Sequence, residues 1–277
     1  MSLAAAGGLA RGRPFGITLA MPPADAELLT LAADLAARAG ETILAVRARG
    51  FESSRKADRS IVTDADHAAE ALIVAGLRAA APHIPVVAEE EMAAGHDPGR
   101  PDEFWLVDPL DGTREFARGG DDFAVCIGLV RDGRPVLGAV GAPAAREVWA
   151  GIVGRGAWKR DGSGSERPIR VRCPPAEGLA VLASRHSANE AQLRPFLARF
   201  SVASVANLGS ALKFCRVAEG LADLYPRFGR TMEWDTAAPQ AVLEAAGGAV
   251  RTMADDAPLG YGKPGWENGN FYCTGGS

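Results

Sequence analysis

One segment constrains this chain more than any other: Phe104-Trp105-Leu106-Val107, followed at once by Asp108-Pro109-Leu110-Asp111-Gly112-Thr113. A short apolar run bounded by Pro and Gly reads as a buried strand ending in a kinked loop. Asp108 and Asp111, three residues apart on such a loop, converge on one point. The Leu110 carbonyl lies between them, and the Thr113 hydroxyl stands just beyond. These are hard oxygen donors, which suit Mg²⁺ rather than zinc. The plain alternative is a surface turn, because Asp, Pro and Gly are common turn formers.

A chain of 277 residues allows one large domain or two closely packed halves. Its hydrophobic share of 47% is enough for a real core. A net charge of -4 argues against a general nucleic-acid binder, which carries a basic surface. It does not argue against a small anionic substrate, since bound cations dominate the field of a site. Cys126, Cys173, Cys215 and Cys273 are scattered, with no CxxC pair. Cys126 and Cys215 sit in apolar segments and read as buried free thiols, which fits a reducing cytoplasmic setting. No apolar run is long enough to span a membrane, and residues 1–24 lack the apolar core of a signal peptide. They read as a flexible leader.

Asp25 is a candidate cap for a helix carrying Leu28, Leu31, Leu35, Ala39, Ile43 and Val46. A polar loop from Ser53 to Ser60 follows, then a helix from Thr63-Asp64 up to Pro82. Ile84 to Ala88 reads as a short strand running into Glu89-Glu90-Glu91. Beyond the Asp-Pro-x-Asp-Gly-Thr loop, 123–130, 135–140 and 147–153 read as a meander, with turns at 131–134 and 154–158. Gly162 to Arg167 is the candidate boundary between an N-terminal half, 25–165, and a C-terminal half, 166–277. In the second half strands at 179–183, 222–225 and 248–252 alternate with helices at 189–200, 210–219 and 235–246. That order suggests a layered arrangement of sheets and helices.

Four acidic clusters stand out: Asp64/Asp66, Glu89/Glu90, Asp108/Asp111 and Asp235. Singly, each has an ordinary explanation as a helix cap or a solvated charge run. Jointly they call for cations, because crowded carboxylates repel. Two or three Mg²⁺ would relieve that repulsion and make a phosphoryl-transfer site.

The set Val62-Thr63-x-x-Asp66, Glu89-Glu90, Asp108-Pro-x-Asp111-Gly-Thr113 and Trp234-Asp235-x-Ala-Ala resembles the inositol monophosphatase superfamily. The match covers roughly residues 25 to 273. It implies an α/β fold, an alternating αβαβα sandwich of the inositol monophosphatase and fructose bisphosphatase type. It also implies a Mg²⁺-dependent, lithium-sensitive phosphomonoesterase. Thr113-Arg114-Glu115-Phe116 departs from the Thr-x-Asn-Phe of many inositol monophosphatases. Together with the run from Gly209 to Gly220 and Asp223-Leu224-Tyr225-Pro226-Arg227, it is similar to the 3'(2'),5'-bisphosphate nucleotidase branch. Bacterial members of that branch belong to sulfur assimilation and remove the 3'-phosphate of adenosine 3',5'-bisphosphate (PAP).

The resemblance assigns metal binding to Glu89, Asp108, the Leu110 carbonyl, Asp111 and Asp235, with Asp66 and Glu90 serving a further ion or its water shell. The third Glu, Glu91, leaves the register of the acidic pair open. Thr113, backed by Asp66 or Glu89, would help activate water, and the amides near Gly112 and Thr113 would cradle phosphate. Ser210, Lys213 and Arg227 would meet the second phosphate, with Ser184 and His186 near the nucleoside and Asp235 also at the substrate. Without the resemblance, Lys213 and Arg227 would read as surface residues. The expected partner is therefore a nucleotide bisphosphate, PAP or its sulfated relative PAPS, for a protein that is a monomer or homodimer. The alternatives are a phosphatase of histidinol phosphate or inositol monophosphate, and a non-catalytic nucleotide or metal sensor.

Overall fold

The computed structural model describes residues 23–56, 60–184 and 190–276. The expected leader up to residue 22, and His186, lie outside them. The first described element is α1 (Pro23–Arg49). Its Leu29, Ala32, Ala36, Ala39, Ile43 and Val46 recur at helical spacing and are buried. Asp25 is not a cap: it sits inside the first turn, where its carboxylate pairs with Arg131 at 3.1 Å.

The expected polar loop contains a strand, β1 (Ser53–Arg55), paired antiparallel with β2 (Ile61–Thr63). All of β1 is exposed, so no apolar alternation marks it. Then comes α2 (Asp64–Ala80), capped by Thr63 rather than Asp64. The Thr63 hydroxyl accepts the Ala65 N–H at 3.2 Å, and Asp66 Oδ2 accepts the Thr63 N–H at 2.8 Å. This reciprocal pairing satisfies donors that a helix start leaves open.

Next are β3 (Val86–Ala88), α3 (Glu89–Ala93), β4 (Glu103–Asp111) and α4 (Thr113–Ala117). The acidic motif is therefore not a loop beyond a strand but the end of β4 itself. Its pairing with β5 (Ala124–Arg131) shifts register between Asp108 and Asp111. Pro109 offers no N–H to the ladder, and a bulge is where a sheet tolerates that. The meander continues through β6 (Arg134–Ala142), β7 (Glu147–Ile152), β8 (Gly156–Arg160) and β9 (Glu166–Ile169). Residues 156–158, expected in a turn, begin β8. The segment 162–165 joins β8 to β9 in one sheet, which the chain leaves at Ile169.

The remainder runs β10 (Leu179–Ser184), α5 (Glu190–Leu197), β11 (Val202–Leu208), α6 (Leu212–Ala218), β12 (Leu224–Arg227) and β13 (Thr231–Met232). It ends with α7 (Glu233–Ala245), β14 (Ala249–Thr252), β15 (Glu267–Asn268) and β16 (Phe271–Thr274). Two main sheets result: a seven-stranded one, β3-β4-β5-β6-β7-β8-β9, and a five-stranded one, β11-β10-β12-β16-β14. Helices α1 and α2 cover the outer face of the first, while α6 and α7 lie between the sheets. On the outer face of the second, Phe196 of α5 packs on Phe228 and Tyr272 at 5.9 and 5.6 Å. The order is the αβαβα sandwich that the resemblance implied. Among the described residues no helix is long and apolar enough to cross a membrane.

One packing detail places the acidic site. Gly128, Gly138 and Gly151 stand side by side across β5, β6 and β7. A Cβ on Gly128 would come within 2.6 Å of the Ala238 nitrogen, and one on Gly151 within 2.7 Å of Ala245 Cβ. A Cβ on Gly138 would run into the Ala238 carbonyl. Only a row without side chains lets α7 lie this close to the sheet. Its first turn, with Asp235, is thereby set beside the bulge of β4.

Candidate active site

A cavity of about 940 Å³ opens between the two sheets. One wall is acidic: Glu89 from the start of α3, Asp108 and Asp111 from the bulge, and Asp235 from α7. The three aspartates share a device. Asp108 Oδ1 accepts the Leu110 N–H at 2.9 Å, Asp235 Oδ2 the Met232 N–H at 2.9 Å, and Asp111 Oδ2 the Ala211 N–H. One oxygen of each is tied to the backbone, which orients the carboxylate and leaves its other oxygen for a ligand.

Burial pushes the Asp108 carboxyl well above its usual range, and the charges of Glu89, Asp111 and Asp235 push it further. Asp235 is raised for the same reasons, burial first and then Asp111 and Glu89. Burial also raises Asp111, though Lys213 and the Ala211 amide offset part of the effect. Carboxylates buried together in this way favour either a proton or a cation. No three of the described His, Cys, Asp and Glu side chains are already closed into a metal shell. The donor set nonetheless fits Mg²⁺: anionic and carbonyl oxygens, partly oriented, with no soft ligand among them.

Thr113 opens α4 beside this wall. Its Oγ1 lies 2.9 Å from the Leu110 carbonyl and 3.1 Å from Asp66 Oδ1. Asp66 is only 2% exposed and stands behind Thr113, held by the Thr63 hydroxyl at 2.6 Å. Burial raises its pKa. Of the two partners expected for Thr113, the structure brings Asp66 to its hydroxyl.

The three consecutive glutamates separate cleanly. Glu89 lines the cavity, Glu90 is buried behind it, and Glu91 turns outward to grip Arg78 at 2.8 and 2.7 Å. Glu70 fixes this turn, accepting the N–H groups of Glu90 and Glu91 at 2.7 and 2.8 Å. Burial lifts the Glu70 carboxyl to about 7. Lys56, in the segment expected to be a polar loop, reaches both Glu89 and Glu90 at 2.6 Å. Burial works against its ammonium, but those two carboxylates more than offset it and raise its pKa. No local signal distinguishes this lysine; only the fold of the β1–β2 hairpin brings it to the site.

Two cationic side chains line the same cavity. Lys213 of α6 is 3% exposed, and its Nζ donates to the Leu208 carbonyl at 3.2 Å and to the Ser210 carbonyl. The ammonium lies 5.0 Å from the centre of the Tyr225 ring. Burial lowers its pKa to about 8, although Asp111 opposes the shift. Arg227 of β12 donates from Nη1 to Ser184 Oγ at 2.8 Å and from Nη2 to the Arg230 carbonyl at 3.2 Å. Its Nε is buried with no hydrogen-bond partner among the described residues. An orphaned guanidinium N–H beside a buried ammonium is a ready anion site. Ser184, Ser210 and Gly112 line the same cavity.

The pattern of the inositol monophosphatase family matches residues 24–273. The chain is 43% identical over 227 residues to the 3'(2'),5'-bisphosphate nucleotidase CysQ of Salmonella typhimurium, covering 80% of this chain and 89% of that one. It is 40% identical over 238 residues to the protein of that name from Escherichia coli K12, covering 84% and 94%. Among solved structures it superposes on CysQ from Bacteroides thetaiotaomicron, a bacterial member of the inositol monophosphatase family, with a TM-score of 0.77. That pair shares 32% identity over 91% of this chain and 98% of the other. With the acidic bulge, the layered fold and these likenesses in agreement, this chain belongs to the inositol monophosphatase family.

Proposed function

We propose that this protein is a Mg²⁺-dependent 3'(2'),5'-bisphosphate nucleotidase that hydrolyses the 3'-phosphate of PAP, giving AMP and inorganic phosphate. One observation carries the reading: the same cavity is lined by a cluster of carboxylates and by buried Lys213 and Arg227. A monophosphate has no group for buried Lys213 and Arg227 once its phosphate sits at the acidic wall. A nucleoside bisphosphate has a phosphate for each set.

Glu89, Asp108, Asp111, Asp235 and the Leu110 carbonyl would hold the metal ions, with Asp66 and Glu90 behind them. Bound Mg²⁺ supplies charge neutralisation at the phosphoryl oxygens and a more acidic water. The chain's own residues do the rest. Asp66 Oδ1 accepts the Thr113 proton, so the lone pairs of Thr113 Oγ1 are free to accept from the attacking water. Asp66, bonded to the Thr113 hydroxyl and shielded from solvent, is placed to take that proton, relayed through Thr113. Lys213, Arg227 and Ser184 hold the 5'-phosphate and so align the 3'-ester for in-line attack. PAPS, which keeps the 3'-phosphate, is the natural second substrate. The Thr113–Asp66 hydrogen bond beside the carboxylates, which a sensor would not need, favours hydrolysis over the sensor role.

The test is phosphate release from PAP, inositol 1-phosphate and histidinol phosphate, side by side with Mg²⁺. A large kcat/KM preference for PAP is expected. Preference for a monophosphate would overturn the bisphosphate reading, and no turnover of any would leave the sensor.

A further inference from the structure

Asp235 is oriented from a distant part of the chain. Asn268, on β15, is 4% exposed, and its side-chain amide donates to the Met232 carbonyl at 2.9 Å and to Thr236 Oγ1 at 3.0 Å. Its Oδ1 accepts from Lys263 Nζ at 3.0 Å. Those partners fix which way the amide faces, since the flipped form would set Oδ1 against the Met232 carbonyl. Lys263 is held in turn by Glu233 at 2.8 Å. Glu233, fully buried, also takes the N–H groups of Gly262 and Lys263 at 2.7 and 2.9 Å.

The network closes on one residue of the site. Met232 has its N–H bound by Asp235 Oδ2 and its carbonyl bound by Asn268 Nδ2. The β13–β15 pairing, Thr231 with Asn268 and Met232 with Glu267, locks the same stretch. We infer that Asn268 is a positioning residue for Asp235. By gripping Met232 and Thr236 on either side of Asp235, it fixes the rotation of that carboxylate and so the oxygen presented to the cavity. Lys263 and Glu233 hold Asn268 in place. The role resembles that of outer groups that orient metal ligands elsewhere. This inference rests on the reading of Asp235 as a metal ligand.

The test uses the full chain and Mn²⁺ alone as the probe, its affinity read by electron paramagnetic resonance without substrate. Asn268→Leu and Asn268→Ser are compared with Asp235→Asn, and all are melted in parallel. The expected result is a loss of Mn²⁺ affinity of about tenfold or more in the Asn268 variants. The KM for PAP at saturating metal should stay near that of the parent. If one Asn268 variant fails to fold, the other decides. Lower melting temperatures with unchanged Mn²⁺ affinity would overturn the positioning role and leave the metal site standing. Unchanged affinity in Asp235→Asn would instead remove the metal reading, and the inference with it.

Discussion

Replacing Lys213 by Met separates a functional lysine from a structural one by the sign of its effects. Burial lowers the Lys213 pKa from 10.5 to about 8. At about 1.36 kcal/mol per pH unit, keeping that ammonium charged at pH 7 costs the fold about 3 kcal/mol. The linkage runs as it must for a depressed lysine. Between about 8 and 10.5 the unfolded chain binds the extra proton, so wild-type stability rises with pH across that window. Methionine removes the penalty at pH 7 and loses two hydrogen bonds, each worth about 1 kcal/mol. Their acceptors, the Leu208 and Ser210 carbonyls, belong to cavity-lining residues and can turn to water. Lys213→Met should therefore gain about 1 kcal/mol at pH 7, an advantage that shrinks above pH 8, as urea unfolding at both values would show. Activity should move the other way. Losing a charge-assisted contact of about 1.5–3 kcal/mol lowers kcat/KM for PAP roughly 10- to 150-fold. 3'-AMP, which lacks the 5'-phosphate, should be nearly unaffected. The wild-type kcat/KM for PAP should itself fall as pH passes through about 8 and Lys213 loses its proton. A destabilised variant with equal losses on both substrates would refute the reasoning and make Lys213 a strut for the 208–210 turn.

Gly138→Ala should destabilise the fold by about 1–3 kcal/mol, because the new methyl meets the α7 backbone rather than a movable side chain. A melting curve unchanged from the parent would mean that α7 does not rest on the glycine row. Thr113→Val keeps the shape but removes the hydroxyl between Asp66 and the cavity. It should lower kcat by about 10²- to 10⁴-fold while leaving Mn²⁺ affinity intact, and a loss of metal binding instead would recast Thr113 as a ligand.

Much of this architecture is legible in the sequence. The apolar spacing in α1 and α2 and the apolar runs of β5 to β7 are local patterns, and local pattern is what a sequence displays. Several strands without such a pattern have no signal of their own, although β16 alternates buried and half-buried residues. All of β1 is exposed, the central residues of β11 are exposed on both faces, and β13 and β15 are two residues each. Asp25 and Asp64 were reasonable caps by composition, but Pro23 and Thr63 mark the boundaries instead. The acidic motif named its own chemistry while hiding its geometry. Pro109 and Gly112 signal a break in regular structure equally well for a loop and for a bulge inside a paired strand.

The sequence by itself determined the donor types and the order of elements, because side-chain chemistry and periodicity are written residue by residue. Tertiary structure decided what meets what. Asp235 reaches Asp108 only because three glycines on neighbouring strands admit α7. Lys56 reaches Glu89 and Glu90 only because an exposed hairpin folds over them. Asn268 grips Met232 from a two-residue strand near the end of the chain. Each of these meetings closes a long loop of chain. The energy that holds it is gained when whole layers pack, so no short window of sequence carries a trace of it.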